Sequence, residues 1–212
     1  MMIKIKNVSV YKRNNLILKN VNADLRGNVA IIGAHNSGKT KLIEAICGRT
    51  KIETGLIELD EKFVKENHLD KSNNGFMYIP KNYHTFLEDL KVKHIISFFA
   101  KFKEKNSRLL READITPSIK FKELTHIQKL ILFIDIGLKN NKKIFLLDEP
   151  LLHLDMYERL LFRKIIDTYL VDCMVIMTST NPEEEILDFD QKLFIHDGTL
   201  VTRNPFPKVY CK

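Results

Sequence analysis

The feature of this 212-residue chain that most constrains its fold is the segment GAHNSGKT at residues 33–40, which fits the pattern G-x-x-x-x-G-K-[ST] in full. The apolar run before it, VAII, predicts a short buried strand, and KLIEAI after it predicts the first turns of a helix. Strand, glycine-bearing loop and helix in this order are typical of a phosphate-binding loop. The sequence therefore predicts an α/β fold that binds a nucleotide through its phosphates.

The chemistry expected of this loop follows from its residue types. A loop that wraps phosphates directs several backbone N–H groups into one concavity, and the helix that follows adds its unpaired N-terminal amides. Asn36, in the middle of the loop, tolerates a left-handed backbone better than most residues. Lys39 is expected to contact the β- and γ-phosphates, and the Thr40 hydroxyl is expected to bind Mg²⁺. The residues expected to contact the nucleotide here are Gly33, Ala34, His35, Asn36, Ser37, Gly38, Lys39, Thr40 and Lys41.

Charge and cysteine content narrow the class of protein. The net charge of +7 is spread along the chain. A lysine- and asparagine-rich composition explains such a charge better than a binding surface for nucleic acid or an anionic membrane. The three cysteines, Cys47, Cys173 and Cys211, lack metal-ligand spacing and predict reduced cytosolic thiols. No apolar run approaches the ~20 residues of a membrane span, and the N-terminus has no signal-peptide core. A soluble or peripheral protein is expected.

Hydrophobic patterning predicts the rest of the architecture. Alternating apolar residues predict an N-terminal antiparallel sheet from residues 3–10, 16–25 and 54–59, with a turn at Asn14-Asn15 between the first two strands. Continuous apolar runs predict the buried strands of a mostly parallel core sheet with flanking helices. These runs lie at residues 29–32, 76–79, 143–147 and 174–177, and a hairpin over residues 192–201 closes the chain.

Helical spacing of apolar residues predicts a small helical subdomain inserted at about residues 83–140 of a single domain. Within it, Thr125 and Gln128 fit a capping box that begins a helix. Two further helices are predicted over residues 155–170 and after Asn181.

Two acidic residues follow the apolar run that ends at Leu147. Asp148 is expected to hold Mg²⁺, directly or through water, and Glu149 is expected to polarise the attacking water. An apolar strand that ends in two carboxylates is the partner that a phosphate-binding loop requires for hydrolysis.

At this point the sequence resembles the nucleotide-binding domain of ABC (ATP-binding cassette) transporters over nearly its whole length. The dipeptide Thr54-Gly55 matches a strand motif of that family, and Gln128 precedes Asp148 by the family's usual interval. Leu154-Asp155 matches the loop that follows the two acids. The resemblance implies that Tyr11 stacks on adenine.

Three motifs depart from that family. Leu124-Thr125-His126-Ile127-Gln128 stands in place of the signature L-S-G-G-Q, so a β-branched Ile127 replaces a glycine and is expected to resist positive φ and close backbone approach. Lys81 stands in place of a glutamine that touches Mg²⁺; a cation cannot ligate the metal but can pair with phosphate oxygens. Thr180 replaces a histidine and can hydrogen-bond the γ-phosphate. Thr125 and Gln128 are expected to contact nucleotide held by a second subunit.

The resemblance implies the ATP-binding subunit of a transporter, located in the cytoplasm on the inner face of the membrane. Its expected partners are a membrane-spanning subunit and a second ATP-binding domain, identical or different, with no nucleic acid. The altered motifs predict slow hydrolysis by the chain alone. Two alternatives are a weakly or non-hydrolysing regulatory subunit and, more distantly, a soluble ATPase acting on DNA. The segment after Pro80 supplies apolar residues for docking on the membrane subunit: Phe86, Leu87, Leu90, Phe98 and Phe99.

Overall fold

The structure is a computed structural model that describes residues 1–60, 62–63, 75–83, 85–100, 107–181 and 189–201. The strands are β1 (Met2–Lys12), β2 (Asn15–Arg26), β3 (Val29–Ile32), β4 (Thr54–Leu59), β5 (Lys62–Phe63), β6 (Phe76–Ile79), β7 (Ile144–Leu147), β8 (Met174–Ser179), β9 (Gln191–His196) and β10 (Thr199–Val201). The helices are α1 (Lys39–Ile46), α2 (Val92–Phe99), α3 (Arg108–Glu112), α4 (His126–Lys139) and α5 (Met156–Tyr169), with 3-10 turns at Thr85–Leu87 and Phe121–Glu123. The helix predicted after Asn181, like Cys211, falls outside the described residues.

The N-terminal sheet is antiparallel in the order β2-β1-β4-β5, as its alternating sequence predicts. The predicted turn between β1 and β2 was wrong by one residue, because Lys12 already pairs with Asn15. Only Arg13 and Asn14 remain for the turn, and Arg13 adopts a left-handed backbone with φ 57°. Such two-residue turns require positive φ values.

The core sheet has the order β10-β9-β3-β8-β7-β6, and all its neighbouring pairs except β10 with β9 are parallel. Every residue of β3, β7 and β8 is buried, which explains why their sequences are continuously apolar rather than alternating. Because the central strands are parallel, the segments that follow β3, β6, β7 and β8 all emerge at one edge of the sheet. Ligands of open α/β sheets bind at this edge.

Two hydrophobic clusters lie on the two sides of the core sheet. One joins the N-terminal sheet to α1, with Val8, Leu25 and Leu42 fully buried. The other joins the core sheet to α2, α3, α4 and α5, with Phe121 and Phe162 almost fully buried. The predicted fold class is confirmed, including helices within residues 83–140. Among the helices of the described residues, none is long and apolar enough to span a lipid bilayer.

Candidate nucleotide site

The loop between β3 and α1 has the backbone that its glycines predict. Gly38 has φ +108°, and a side chain there would begin 2.9 Å from the Leu18 side chain. At Gly33 a Cβ would lie 2.5 Å from both the carbonyl oxygen of Ile195 and the hydroxyl of Ser37. Asn36 adopts the expected left-handed conformation with φ 60°. These positions therefore hold a tight loop at the N-terminus of α1.

Lys39 is the buried cation of this loop, with 4% of the residue exposed. Its ammonium group donates to the carbonyl oxygens of Gly33 and Ala34 at 2.8 Å each and lies 3.4 Å from Glu149 Oε1. Burial lowers the pKa of Lys39, and the attraction of Glu149 opposes that shift. The ammonium group thus bridges the loop to the carboxylate that follows β7.

Thr40 and Asp148, which the sequence predicts as magnesium ligands, are in direct contact. The Thr40 hydroxyl donates to Asp148 at 3.1 Å and 2.9 Å, to Oδ1 and Oδ2 respectively. Burial raises the pKa of Asp148, while hydrogen bonds from Thr178 and Thr40 oppose the shift. Oxygen ligands of this kind suit Mg²⁺, which takes one or two carboxylates and fills its other positions with substrate phosphates and water. Among the described residues, no group of three or more histidine, cysteine or acidic side chains is arranged to hold a metal ion.

Glu149 lies beside Asp148 in an unusual conformation, with φ 48°. Non-glycine residues held in this region are strained and concentrate at functional sites. Its Oε2 accepts from Lys81 Nζ at 2.7 Å, and its Oε1 faces Lys39. Burial alone would raise the pKa of Glu149, but the two cations outweigh burial and lower it. The carboxylate is therefore ionised at neutral pH, as a general base must be.

Thr178 is a functional residue that the sequence analysis did not identify. Its fully buried hydroxyl donates to Asp148 Oδ1 at 2.8 Å and accepts the backbone N–H of Glu149 at 2.8 Å. One side chain of β8 thus orients both acids that follow β7. The available signal was a polar residue near the end of an otherwise apolar strand.

The other predicted site residues are placed less centrally. Lys41 forms an ion pair with Glu44 one turn along α1. His35 is exposed, and Tyr11 lies near the end of β1 with 47% of its surface exposed. Thr180 is half-buried and follows the last residue of β8. The roles expected of Tyr11 and Thr180 stay predictions.

The segment Leu124 to Gln128 forms the start of α4. Thr125 and Gln128 make the predicted capping box, in which each side chain accepts the backbone N–H of the other residue. Ile127 was expected to block close approach to the backbone of this segment, and its position corrects that expectation. Only 5% of the residue is exposed, so its side chain packs in the core and does not cover the surface of the segment. His126 is half-buried instead, edge-to-face against His153.

Comparison with known proteins agrees with this geometry. Residues 18–152, more than half of the chain, match the family model described as ABC transporter. This chain belongs to the ABC transporter family. It is an ATP-binding P-loop protein of the ATP-hydrolysing class, as its motifs predict.

Relatives of this ABC protein carry related descriptions. It is 28% identical over 195 residues to the cytochrome c biogenesis ATP-binding export protein CcmA of Reclinomonas americana, covering 86% of each chain. It is 25% identical over 222 residues to the energy-coupling factor transporter ATP-binding protein EcfA of Aster yellows witches'-broom phytoplasma, covering 96% of this chain and 79% of that one. A nucleotide-free ATP-binding cassette from an ABC transporter has the same fold, with a TM-score of 0.78 at 17% identity, covering 94% of this chain and 89% of that one.

Proposed function

We propose that this chain is an ATP-binding subunit that binds MgATP at the edge formed by β3, β7 and β8 and drives a membrane-spanning partner. The observation that carries the proposal is the contact between Thr40 and Asp148 beside the pair formed by Lys39 and Glu149. Residues 108 positions apart in the sequence meet in the arrangement that phosphate binding, metal binding and water activation require together.

Each side chain then has a separate role. Lys39 and the amides of the loop hold the phosphates, while Thr40 and Asp148 hold Mg²⁺, which when bound neutralises charge on the phosphate oxygens. Glu149 accepts a proton from the attacking water, and Thr178 holds the Asp148 carboxylate and the backbone of Glu149 in position. Gly33 to Lys41 surround the phosphates, and Tyr11 stacks on the base.

A second ATP-binding domain, identical or different, completes the site. In this arrangement Thr125 and Gln128 approach the γ-phosphate that the other subunit holds. The exposed position of Thr125 at the N-terminus of the 14-residue helix α4 supports this role, since helix N-termini attract anions. The helices described within residues 83–140 are short, which disfavours a DNA-acting ATPase with a long coiled coil.

The membrane partner docks in a groove of about 520 Å³ between β6, the end of α1 and the helices α2 and α4. Its lining includes Tyr83, Leu87 and Phe133, and Phe86 at its margin is 60% exposed. Phe98, nearby on α2, is 80% exposed. Apolar grooves of this kind receive one face of an amphipathic helix, so the occupant is a cytoplasmic helix of the membrane subunit. We infer from this docking that the chain works on the inner face of the membrane.

The test is co-purification of the chain with a co-encoded membrane protein, followed by an ATPase assay of the complex. Phe86→Glu and Phe98→Glu should abolish co-purification, because each puts a charge on the docking surface. Val171→Glu is the matched control, since Val171 is 76% exposed just after α5. If all three variants co-purify as the wild type does, the docking site lies elsewhere. If the wild type fails to co-purify, the coupling to a membrane subunit is wrong.

A further inference from the structure

The Glu149 carboxylate has a cation on each of its oxygens. Lys81 Nζ lies 2.7 Å from Oε2 and Lys39 Nζ lies 3.4 Å from Oε1, and only 7% of Glu149 is exposed. A general base must instead present an oxygen to the attacking water. In this arrangement the carboxylate expected to act as the base is held by two ammonium groups.

The two lysines differ in how firmly they are held. Lys39 is buried, and its ammonium group also donates to the carbonyl oxygens of Gly33 and Ala34, which hold it in place. The side chain of Lys81 is 33% exposed, and among the described residues its ammonium group donates to Glu149. Its flexible four-carbon stem can redirect the charge without moving the backbone. Lys81 is thus the cation able to leave the carboxylate.

The backbone keeps Lys81 close to this carboxylate. Ile79, the last residue of β6, pairs with Leu147, and its carbonyl accepts the N–H of Asp148 at 3.0 Å. Lys81 follows two residues later, at the same edge of the sheet as the phosphate-binding loop. Because Lys39 and Lys81 contact the same carboxylate, a phosphate bound by Lys39 lies within reach of Lys81.

We propose that Lys81 is a nucleotide-sensing counter-ion, which pairs with Glu149 until ATP binds and then transfers to the γ-phosphate. This inference rests on the proposed binding of ATP at the phosphate loop. Phosphate oxygens attract an ammonium group more strongly than a single carboxylate charge does, and the transfer frees Glu149 Oε2 for water. ADP lacks the γ-phosphate and leaves the ion pair intact. Lys81 therefore makes the site discriminate ATP from ADP.

The test is equilibrium binding of the Mg²⁺ complexes of ADP and of the β,γ-imido analogue of ATP, which carries a γ-phosphate. Lys81→Gln should weaken binding of the analogue by about tenfold or more, the usual effect of losing a charge-assisted hydrogen bond. Binding of ADP should be unchanged. Lys81→Arg should restore most of the discrimination because it keeps the charge. Lys122→Gln is the control, since Lys122 forms a surface pair with Asp89.

A double-mutant cycle with Glu149→Gln isolates the ion pair. Glu149→Gln should strengthen binding of the analogue when Lys81 is present, because the competing carboxylate is gone, and the gain should shrink in Lys81→Gln. In turnover, Lys81→Gln should raise KM for ATP without lowering kcat in proportion.

Four outcomes decide between these readings. Equal weakening of both nucleotides by Lys81→Gln would show a structural role and overturn the inference, as would no effect on either. Wild type that binds both nucleotides while Lys39→Ala binds neither supports the proposed function independently of Lys81. Wild type that binds neither nucleotide would overturn the proposed function and this inference together.

Discussion

Two regions are expected to act on nucleotide: the edge of the core sheet that carries the phosphate-binding loop, and the segment from Leu124 to Gln128. They differ in whether their polar side chains contact distant or neighbouring residues. At the edge, Thr40 and Asp148 meet across 108 positions of sequence, beside the buried Lys39 and Glu149. In the segment, Thr125 and Gln128 bond each other within one helical turn. This difference fits the proposed function, in which the chain contains one half of a catalytic site complete and presents the other half to a partner.

The largest expected effect is a loss of turnover without a loss of ATP binding when Glu149, in the complete half of the site, is changed. Glu149→Gln should lower turnover by about 10²-fold or more, because a general base contributes this much or more to rate. Binding of ATP should persist, since Lys39, Thr40 and Asp148 are unchanged. Phosphate release and nucleotide titration measure the two quantities. Glu53→Gln, in the exposed loop just before β4, should alter neither.

A loss of binding in Glu149→Gln as large as its loss of turnover would show that Glu149 shapes the site rather than acts on water. In that case the carboxylate and its two lysines would serve structure alone.

The next effect concerns turnover and the segment from Leu124 to Gln128, the half of the site expected to face a partner. The protein alone should hydrolyse ATP slowly, since removal of one preorganised donor to the γ-phosphate costs ~10²-fold or more. His126→Gly should raise turnover, because it restores a glycine to the surface of this segment. His126→Ala is the matched control, since it removes the ring contact with His153 without the backbone freedom of glycine.

The position of Ile127 limits how this half is tested. Because Ile127 is buried in the helical core, Ile127→Gly would remove core packing and cost about 2–5 kcal/mol of stability. Its effect on turnover would then mix folding with catalysis. Wild type alone turning over at the ~1–100 s⁻¹ of ordinary phosphoryl-transfer enzymes, or His126→Gly no faster than His126→Ala, would show that the segment is not impaired.

The smallest expected effect is a loss of stability when the contacts of Thr178 with the two acids are removed. Thr178→Val keeps the shape of the side chain but leaves the Glu149 N–H without its acceptor, so the free energy of unfolding should fall by about 1–3 kcal/mol. Urea denaturation measures this change. Thr168→Val, at an exposed position of α5, should have little effect. Equal stability of the two variants would mean that Thr178 contributes nothing to the site.

The same contrast shows what could be predicted from the sequence. Features set by neighbouring residues were predicted well: the apolar run of β7, the left-handed Asn36 and the capping box of Thr125 with Gln128. A local pattern determines each of them, because the interacting groups lie within one strand, loop or helical turn.

Apart from the meeting of Thr40 with Asp148 at an expected magnesium site, contacts between distant segments were not predicted. The ion pair of Lys81 with Glu149 depends on β6 lying next to β7, and the bridging of both acids by Thr178 depends on β8 lying on the other side of β7. The sequence alone does not specify this strand order. Similarly, Ile127 was expected to obstruct a surface, whereas the helix directs it into the core.

The central claim is that the chain by itself holds the phosphate- and metal-binding half of the site, and it is tested most directly by titrating ATP in the presence of Mg²⁺. Wild type should bind, and Lys39→Ala should bind at least about tenfold more weakly, because a hydrogen bond to a charged group contributes ~1.5–3 kcal/mol. Lys122→Ala should match wild type. Equal affinity of wild type and Lys39→Ala for ATP would contradict the account.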